Sequence, residues 1–403
     1  MVWETLFEIV KVLVIVAWLA PLFFLAQTII GLAAGKRFKK FNPHPRTDAE
    51  LLILQIPTIG NSELVNSIFE KVRGYSLPLP LQCWAVIEEG DDPSKYNADR
   101  VVVVPKSFKC LAHVKARALE YARRVRLNLV DQGLLPQKYL VIQSDDDSVV
   151  SRELIMEALT VDADAVVGTI KPRKTSLLGL ILDYERPYTC MHTCIFFTNL
   201  EKTVFGHGES QMYYSYVERV LDYEFKPLNG KRLDEVPVMG NEDMYWLHKA
   251  EMAGFKVYKS DKTVEVSPPL TFGDAVRQRR RWLWGNFNIV YIKRMLPVSH
   301  ALRFLFIHTC AFVFYPFSQI GIILWLLGLL KLAPPLDMLA FSAMVSWYLL
   351  RFLSIGHVMG WKHGLIGCLL TKVTTFLNFI VITIGLLQGD PRRFDVIKKT
   401  AIN

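Results

Sequence analysis

A run of three acids, Asp145-Asp146-Asp147, offers oxygen ligands for a divalent cation. It directly follows Lys138–Gln143, an apolar segment with the composition of a buried strand. Carboxylates one residue apart at a strand end can share Mg²⁺ or Mn²⁺, and the ion can also bridge a diphosphate. A solvated acidic turn is the alternative, but the position after a strand favours a metal and nucleotide site.

A second acidic pair, Glu242-Asp243, follows Asn241 and opens a predicted helix, Met244–Met252. Acids are favoured at the amino-terminal end of a helix, so a helix cap explains this segment best when it is taken alone. A carboxylate placed there could also act as a general base. The pair becomes a catalytic candidate through the motifs that accompany it.

A basic and aromatic segment, Gln278-Arg279-Arg280-Arg281-Trp282, lies before a long apolar run and is followed by Trp284. Taken alone, it is best explained as a basic cluster that flanks a membrane span. However, arginine forks bind phosphate oxygens in a bidentate manner, and an indole offers a sugar a flat apolar face. The combination therefore also suits a site for a sugar diphosphate.

The segment from 36 to 300 must position these motifs, and it alternates strand-like with helical runs. The predicted strands are Leu51–Ile56 (ended by Pro57), Leu81–Ile87, Arg100–Val104, Lys138–Gln143 and Ala165–Ile170, and the predicted helices are Leu64–Val72 and Leu111–Arg126. This alternation predicts an α/β domain of parallel βαβ units with its site at the carboxyl ends of the strands. The pattern weakens beyond Ile170.

Long apolar runs lie at both ends of the chain. Of the 403 residues, 51% are hydrophobic and 21% are charged, which excludes a disordered chain. Four runs are long enough to cross a hydrocarbon core of about 30 Å. They are Val12–Ala34, Leu302–Leu330, Leu336–Met359 and Leu365–Leu387. A signal peptide would have an apolar region about half as long as the first run, so we expect that run to be retained.

The distribution of charge predicts orientation. Lys36, Arg37, Lys39 and Lys40 follow the first run, which places the next domain in the cytosol of a multi-pass cell-membrane protein. Four crossings would then put the basic tail outside, so either the tail breaks the rule or one late segment lies in the interface. The net charge of +9 suits anionic lipid and phosphorylated substrates, and we expect no nucleic-acid partner.

Three other motifs have structural explanations. The six cysteines do not form a disulfide framework, and Cys190-Met191-His192-Thr193-Cys194 lacks the second ligand pair of a zinc site. Gly206–Ser210 is either a loop under the acceptor site or an ordinary turn, which we favour. The side chains of Tyr213, Tyr214 and Tyr216 serve either packing or sugar binding.

The three chemical motifs occur in one order within one domain, and together they resemble the membrane-bound family 2 inverting glycosyltransferases. This is the cellulose-synthase-like group, which includes the cellulose, chitin and hyaluronan synthases. Val101–Tyr121, Ser267–Phe272 and the tail around Phe394–Lys399 resemble egghead-type β-mannosyltransferases in particular, with an archaeal membrane mannosyltransferase as one possibility. The second strand ends in Glu88-Glu89, where many members have two aspartates.

The resemblance implies a GT-A (Rossmann-like) cytosolic domain inserted between transmembrane helices. The implied divisions are 1–35 (membrane helix), 36–275 (catalytic domain), 276–301 (interfacial segment), 302–390 (two or three membrane helices) and 391–403 (basic tail). Sugar-donor binding would involve Pro57, Glu88, Glu89, Lys115, Asp145, Gln278, Arg281 and Trp282. Asp147 and Asp145 would hold Mg²⁺ or Mn²⁺, Asp243 would deprotonate the acceptor, and Glu242 and Trp282 would lie on the acceptor side.

The expected activity is inverting transfer of mannose from GDP-mannose to a lipid-linked saccharide. One base without an enzyme nucleophile implies inversion. A processive polysaccharide synthase that uses a UDP-sugar is the nearest alternative, although three or four spans enclose a polymer pore poorly. A non-catalytic membrane scaffold is the alternative of another class, and the presence of all three motifs argues against it.

Overall fold

The computed structural model describes residues 25–38, 48–200, 204–224, 241–287, 323–329 and 334–389, together with positions 5, 8, 12, 22 and 321. The predicted span Leu302–Leu330 therefore lies largely outside the described residues, about half of Val12–Ala34 lies outside them, and the basic tail lies wholly outside them. Residues 25–35, at the end of the first predicted span, are helical.

One sheet of eight strands forms the centre of the domain, in the order β3-β2-β1-β4-β7-β6-β8-β5. The strands are β1 (Leu51–Thr58), β2 (Leu81–Glu88), β3 (Arg100–Val104), β4 (Tyr139–Gln143), β5 (Ser148–Val150), β6 (Ala165–Pro172), β7 (Gln211–Tyr214) and β8 (Val257–Val266). Every residue of β1 and β4 is buried, as expected for central strands that are covered on both faces.

The five predicted strands are confirmed, and four of them are parallel neighbours. β1 pairs in parallel with β2 and β4, and β2 pairs in parallel with β3. The other half of the sheet is mixed, because β7 runs antiparallel to both β4 and β6, and β5 runs antiparallel to β8. The strand β1 extends to Thr58, two residues beyond its predicted last residue Ile56, so Pro57 does not end it. Pairing with β4 stops at Gln55, so Pro57 lies where a residue without an N–H is tolerated.

The helices of the domain cover the sheet and carry two of the three chemical motifs. They are α1 (Ser62–Arg73), α2 (Val114–Asp131), α3 (Arg152–Ala158), α4 (Leu177–Asp183), α5 (Glu185–Thr189), α6 (Ile195–Asn199), α7 (Ser215–Val220), α8 (Glu242–Met252) and α9 (Phe272–Phe287). The α2 helix begins three residues later than its predicted start at Leu111, because His113 is still extended.

A buried ion pair ties α2 to α7 beneath the sheet. Arg126 donates from Nε to Oε1 of Glu218 at 2.9 Å and from Nη2 to Oε2 at 2.6 Å, and both side chains are fully buried. The Tyr139 hydroxyl also donates to Glu218. Removal of one partner would leave the other charge buried without compensation.

We expect Glu218→Ala to lower the free energy of unfolding by about 3–5 kcal/mol, because the Arg126 guanidinium would lose its counter-charge. Denaturant titration of the full chain, followed by tryptophan fluorescence, measures this change. Lys256→Ala is the control, because its pair with Asp162 is exposed at the surface and should be worth no more than about 1 kcal/mol. Equal effects of the two variants would contradict the expectation.

In the part of the chain from 334 to 389, the apolar helices are α10 (Pro334–Met359), α11 (Trp361–Leu369) and α12 (Thr371–Leu387). Among the described residues only α10 is long and apolar enough to cross a membrane by itself. The predicted run Leu365–Leu387 is not one continuous helix, because the α11–α12 pair bends by 67° at Leu370. The pair is therefore either one broken span or a re-entrant element.

Two cations within these helices have partners. Arg351 of α10 is fully buried and donates to Oε1 of Glu185 at 2.5 Å, while its guanidinium lies 5.4 Å from the ring centre of Tyr188. The Lys372 ammonium lies 5.8 Å from the ring centre of Tyr348. Arg351 thus joins α10 to α5 of the catalytic domain.

Candidate active site

The middle acid of the Asp145-Asp146-Asp147 run has a structural role. Thr58 Oγ1 at the end of β1 donates to Asp146 Oδ2 at 2.9 Å, and Asn61 Nδ2 donates to the same oxygen at 2.7 Å. Asp146 therefore holds the loop after β4 against the end of β1. The side chain of Asp145 remains 28% exposed, and Asp147 is buried.

Four charged groups from distant parts of the sequence meet at this edge of the sheet. The Lys115 ammonium contacts the carboxylate of Asp145 and lies 3.3 Å from Oε1 of Glu242, at the start of α8. The neighbouring Asp243 acts on Lys115 through its charge. Val114, directly before the lysine, has φ +48°, a costly conformation for a β-branched residue. Such strain is typical of functional sites and here positions Lys115.

Burial and charge determine how these groups ionise. Burial raises the pKa of Asp243 to about 8, with a further contribution from the negative charge of Glu242 and opposition from Lys115. Burial alone would lower the pKa of Lys115, but the charges of Asp145, Glu242 and Asp243 raise it above its ordinary value. The lysine is thus a permanent cation, whereas Asp243 can exchange a proton near neutral pH.

The elevated pKa of Asp243 predicts a pH dependence. If Asp243 is the general base that the resemblance implies, it must be deprotonated, so kcat/KM should rise about tenfold per pH unit well below the pKa and level off above about pH 8. Initial rates at low concentrations of sugar donor measure the profile, and nucleotide binding over the same range is the control. If the residual activity of Asp243→Asn rises in the same way, the titrating group is not Asp243.

The helix that carries the basic motif, α9, contacts the start of α8. Asn241 Nδ2 donates to the Trp282 carbonyl at 3.3 Å, and the Tyr245 hydroxyl donates to the carbonyl of Gly285. Asn241 makes no side-chain bond that caps α8. Glu242 and Asp243 do lie in the first turn of α8, as the cap explanation predicts, while the Asn241 amide contacts α9 beside Asp243.

The indole of Trp282 lies close to two guanidinium groups. Arg279 is 4.5 Å and Arg186 is 5.0 Å from its ring centre. Asp183 accepts a 2.6 Å hydrogen bond from Arg279, and Glu209 accepts one from Arg186. Cation–π contacts and ion pairs thus fix the plane of the indole.

The other members of the basic motif, Gln278, Arg280 and Arg281, have different surroundings. Gln278 is buried, and its side-chain oxygen accepts from Arg279. Arg281 is half-buried. Arg280 faces away and donates from Nε to the carbonyl of Gly389, after α12, at 2.6 Å.

The residues assigned to the nucleoside lie at the ends of the neighbouring strands. Pro57 is buried one residue before Thr58. Arg117 Nη1 donates to both oxygens of Glu88, at 3.0 and 2.8 Å, and the Lys106 N–H donates to Glu89 Oε2 at 2.7 Å. These contacts place Glu88 and Glu89 at the carboxyl edge that also carries Asp145, apart from the Trp282 group.

The favoured explanation of Gly206–Ser210 as an ordinary turn is wrong, because the loop lies directly under the charged cluster. A Cβ on Gly208 would lie 2.7 Å from Lys115 Nζ and 3.2 Å from Asp243 Oδ2, so a larger residue here would displace the Lys115 ammonium. Sequence reasoning also missed Glu209, Arg186 and Asp183. Gly206 and Gly208 could have indicated that the loop of Glu209 makes a close approach. No local pattern of the sequence marks Arg186 or Asp183.

The remaining motifs also have defined positions. Tyr213 and Tyr214 are buried in β7, and Tyr216 stacks on Tyr214, so these tyrosines serve packing. Cys190 and Cys194 lie beside His207, a neighbour that the spacing of the cysteines does not reveal. The structure thus adds one residue with a ligand atom to this motif, although not the second ligand pair that the sequence lacks.

Comparisons with known proteins give a family and several similar folds. The sequence profile described as Glycosyl transferase family group 2 matches residues 140–359, more than half of the chain. No curated protein sequence matches. A mannosyltransferase of Pyrobaculum calidifontis, PcManGT, solved with GDP-Man and Mn²⁺, is similar at 15% identity and TM-score 0.47, over 90% of this chain and 99% of that one.

Two further solved structures are similar over much of the chain. Glucosyl-3-phosphoglycerate synthase of Mycobacterium tuberculosis, with Mn²⁺, UDP-glucose and phosphoglyceric acid, shows 11% identity and TM-score 0.35, over 59% of this chain and 79% of that one. TarS 1–349 of S. aureus, with UDP, shows 13% identity and TM-score 0.35, over 86% and 94%. The family match is decisive: the chain is a glycosyltransferase of family group 2, and its mixed α/β domain is the GT-A fold that the motifs predict.

Proposed function

We propose that this glycosyltransferase moves mannose from GDP-mannose to a lipid-linked saccharide at a membrane surface, with inversion at the anomeric carbon. The observation that carries the proposal is the convergence of Lys115, Asp145 and the Glu242-Asp243 pair at one edge of the sheet. This arrangement supplies charge for a leaving diphosphate and one carboxylate for an incoming hydroxyl, which is what a single displacement requires.

The donor set suits a hard divalent cation. Asp145 and Asp147 offer carboxylate oxygens, and Mg²⁺ or Mn²⁺ is commonly held by one or two carboxylates together with substrate phosphates. The ion, when bound, neutralises charge on the departing nucleoside diphosphate. Lys115 adds a permanent positive charge beside it, and Gln278 and Arg281 complete the binding of the diphosphate.

The proton of the acceptor hydroxyl goes to Asp243. Its pKa of about 8 makes it a stronger base than an ordinary aspartate, while Lys115 prevents the pKa from rising further. Glu242 lies on the acceptor side, and the fixed indole of Trp282 gives the acceptor sugar an apolar face. No residue of the chain has to form a covalent intermediate in this scheme.

The contact between α9 and α12 supports an acceptor that remains in the bilayer. Trp284 Nε1 donates to the carbonyl of Gly385 at 3.4 Å, so the helix that carries Trp282 packs directly on an apolar helix. Phe376 and Leu387 of α12 are 63% and 83% exposed, as expected for side chains that face lipid. A lipid anchor could therefore stay beside α12 while its saccharide reaches Asp243.

A screen of nucleotide release tests the proposal. The full chain in detergent is incubated with GDP-mannose and with UDP-sugars, with and without Mg²⁺ or Mn²⁺, and the lipid-linked product is identified by its mass. We expect metal-dependent addition of one hexose. A long polymer would support the processive synthase, and no turnover with any donor or acceptor would support the scaffold.

The base of the nucleotide is a separate prediction. The resemblance of Val101–Tyr121 and Ser267–Trp282 to the β-mannosyltransferases favours guanine, which can donate N1–H and N2–H₂ to one carboxylate of the Glu88-Glu89 pair. We therefore expect GDP to bind more tightly than UDP in calorimetry at equal Mg²⁺. Tighter binding of UDP, with transfer from a UDP-sugar, would contradict the mannose assignment and leave the displacement mechanism intact.

A further inference from the structure

A cluster of two thiols and one imidazole lies behind the loop that supports the charged site. The Nε2 atom of His207 lies 3.4 Å from Sγ of Cys190 and 3.6 Å from Sγ of Cys194, and both cysteines are buried. Within the described ranges, these residues are the one set of three or more His, Cys, Asp or Glu whose ligand atoms all lie within 4.8 Å of one another. The proposed sugar transfer does not use them.

The distances are those of ligands around one ion. Tetrahedral Zn²⁺, with Zn–S of about 2.3 Å and Zn–N of about 2.1 Å, separates sulfur from nitrogen by about 3.6 Å. Both sulfurs approach the same ring nitrogen, yet a single N–H or lone pair can serve only one of them with good geometry. A cation between the three atoms would bind both sulfurs and the nitrogen at once.

The local backbone provides an independent indication. Cys190–Cys194 forms a π-helical turn between α5 and α6, and such turns are rare and frequently occur at functional sites. The turn directs both sulfurs toward His207, which arrives on a separate loop. The third ligand is therefore supplied by tertiary structure.

We propose that Cys190, Cys194 and His207 bind one Zn²⁺ ion at a site distinct from the Asp145 and Asp147 carboxylates. Thiolate and imidazole ligands select zinc over Mg²⁺ and Mn²⁺, which prefer oxygen. Three protein ligands leave the fourth tetrahedral position to a non-protein ligand such as water.

The ion has a positioning role for the catalytic site. Gly208, which follows the histidine ligand, lies against Lys115 and Asp243, and Glu209 holds Arg186 beside Trp282. Zinc would fix His207 and thereby the loop that carries Gly208 and Glu209. This loop contacts both the charged cluster and the residues around Trp282. The ion does not contact the reacting atoms.

Elemental analysis of the full chain, purified in detergent in the presence of Zn²⁺ and then dialysed, tests the proposal without an activity assay. We expect one zinc per chain, retained in Asp147→Ala, with affinity reduced by roughly 10–100-fold or more in Cys190→Ser and Cys194→Ser. Cys110→Ser, a change at a half-buried cysteine outside the cluster, is the matched control and should retain the metal.

Cobalt substitution of the wild-type chain keeps the proposal falsifiable if the cysteine variants fail to fold. Co²⁺ should give an intense thiolate-to-metal charge-transfer band. A folded wild-type chain without zinc and without this band would overturn the proposal and identify a hydrogen-bonded thiol–imidazole cluster. A glycosyltransferase that is inactive yet retains zinc would refute the proposed function alone, so the two failures are distinguishable.

Discussion

Asp243→Asn should leave the sugar donor bound while turnover falls by roughly 10²–10⁴-fold. The amide has nearly the shape of the carboxylate but cannot accept the acceptor proton. Lys115 and Asp145, which belong to the diphosphate side, remain in place. Single-turnover transfer measures the loss, and calorimetry with GDP measures the retained binding.

A suitable control for this variant is Asp222→Asn. Asp222 is a surface acid that pairs with Lys249, at the other end of α8, so its loss should leave turnover essentially unchanged. If Asp243→Asn instead weakens nucleotide binding but keeps full turnover at saturation, Asp243 belongs to the donor site and another group must accept the proton.

Asp147→Ala should abolish the metal dependence of nucleotide binding. Without this carboxylate the cation loses a ligand, so the charge of the diphosphate is no longer compensated. We expect the affinity for GDP in the presence of Mn²⁺ to fall by roughly 10–100-fold or more and to become independent of the metal. Titrations at several Mn²⁺ concentrations measure both effects.

Asp146→Asn separates metal binding from loop structure. Asp146 accepts hydrogen bonds from Thr58 and Asn61, so its replacement should chiefly reduce stability. Nucleotide binding that still responds to Mn²⁺ in Asp146→Asn, but not in Asp147→Ala, would distinguish the two acids. The reverse pattern would assign the metal to Asp146.

The sequence predicted best those features that depend on local pattern. Strands such as Arg100–Val104 are short apolar runs between polar breaks, and the acidic motifs follow directly from such runs. The antiparallel strands β5 and β7 were not predicted, because they have three and four residues and their direction depends on their partners. Hydropathy likewise does not register the bend at Leu370, since both of its sides are apolar.

The predictions for the site show the same difference between local patterns and long-range contacts. Residues within one motif, such as Asp145 and Asp147, were found from their spacing. Arg186, Glu209 and His207 were not assigned, because their roles depend on contacts across long stretches of chain. The contact of Arg186 with Trp282 depends on the packing of α5 beside α9, which no local pattern of the sequence indicates.

The close packing of α9 on α12 limits how this enzyme can be shortened for study. A Cβ on Gly385 would lie 3.1 Å from the Cα of Arg280, so the two backbones are nearly in contact. A water-soluble fragment that ended before Pro334 would lack this supporting surface and the carbonyls that bind Arg280 and Trp284. Inhibitors selected against such a fragment would be selected against altered surroundings of Trp282, so screening should use the whole chain in detergent or lipid.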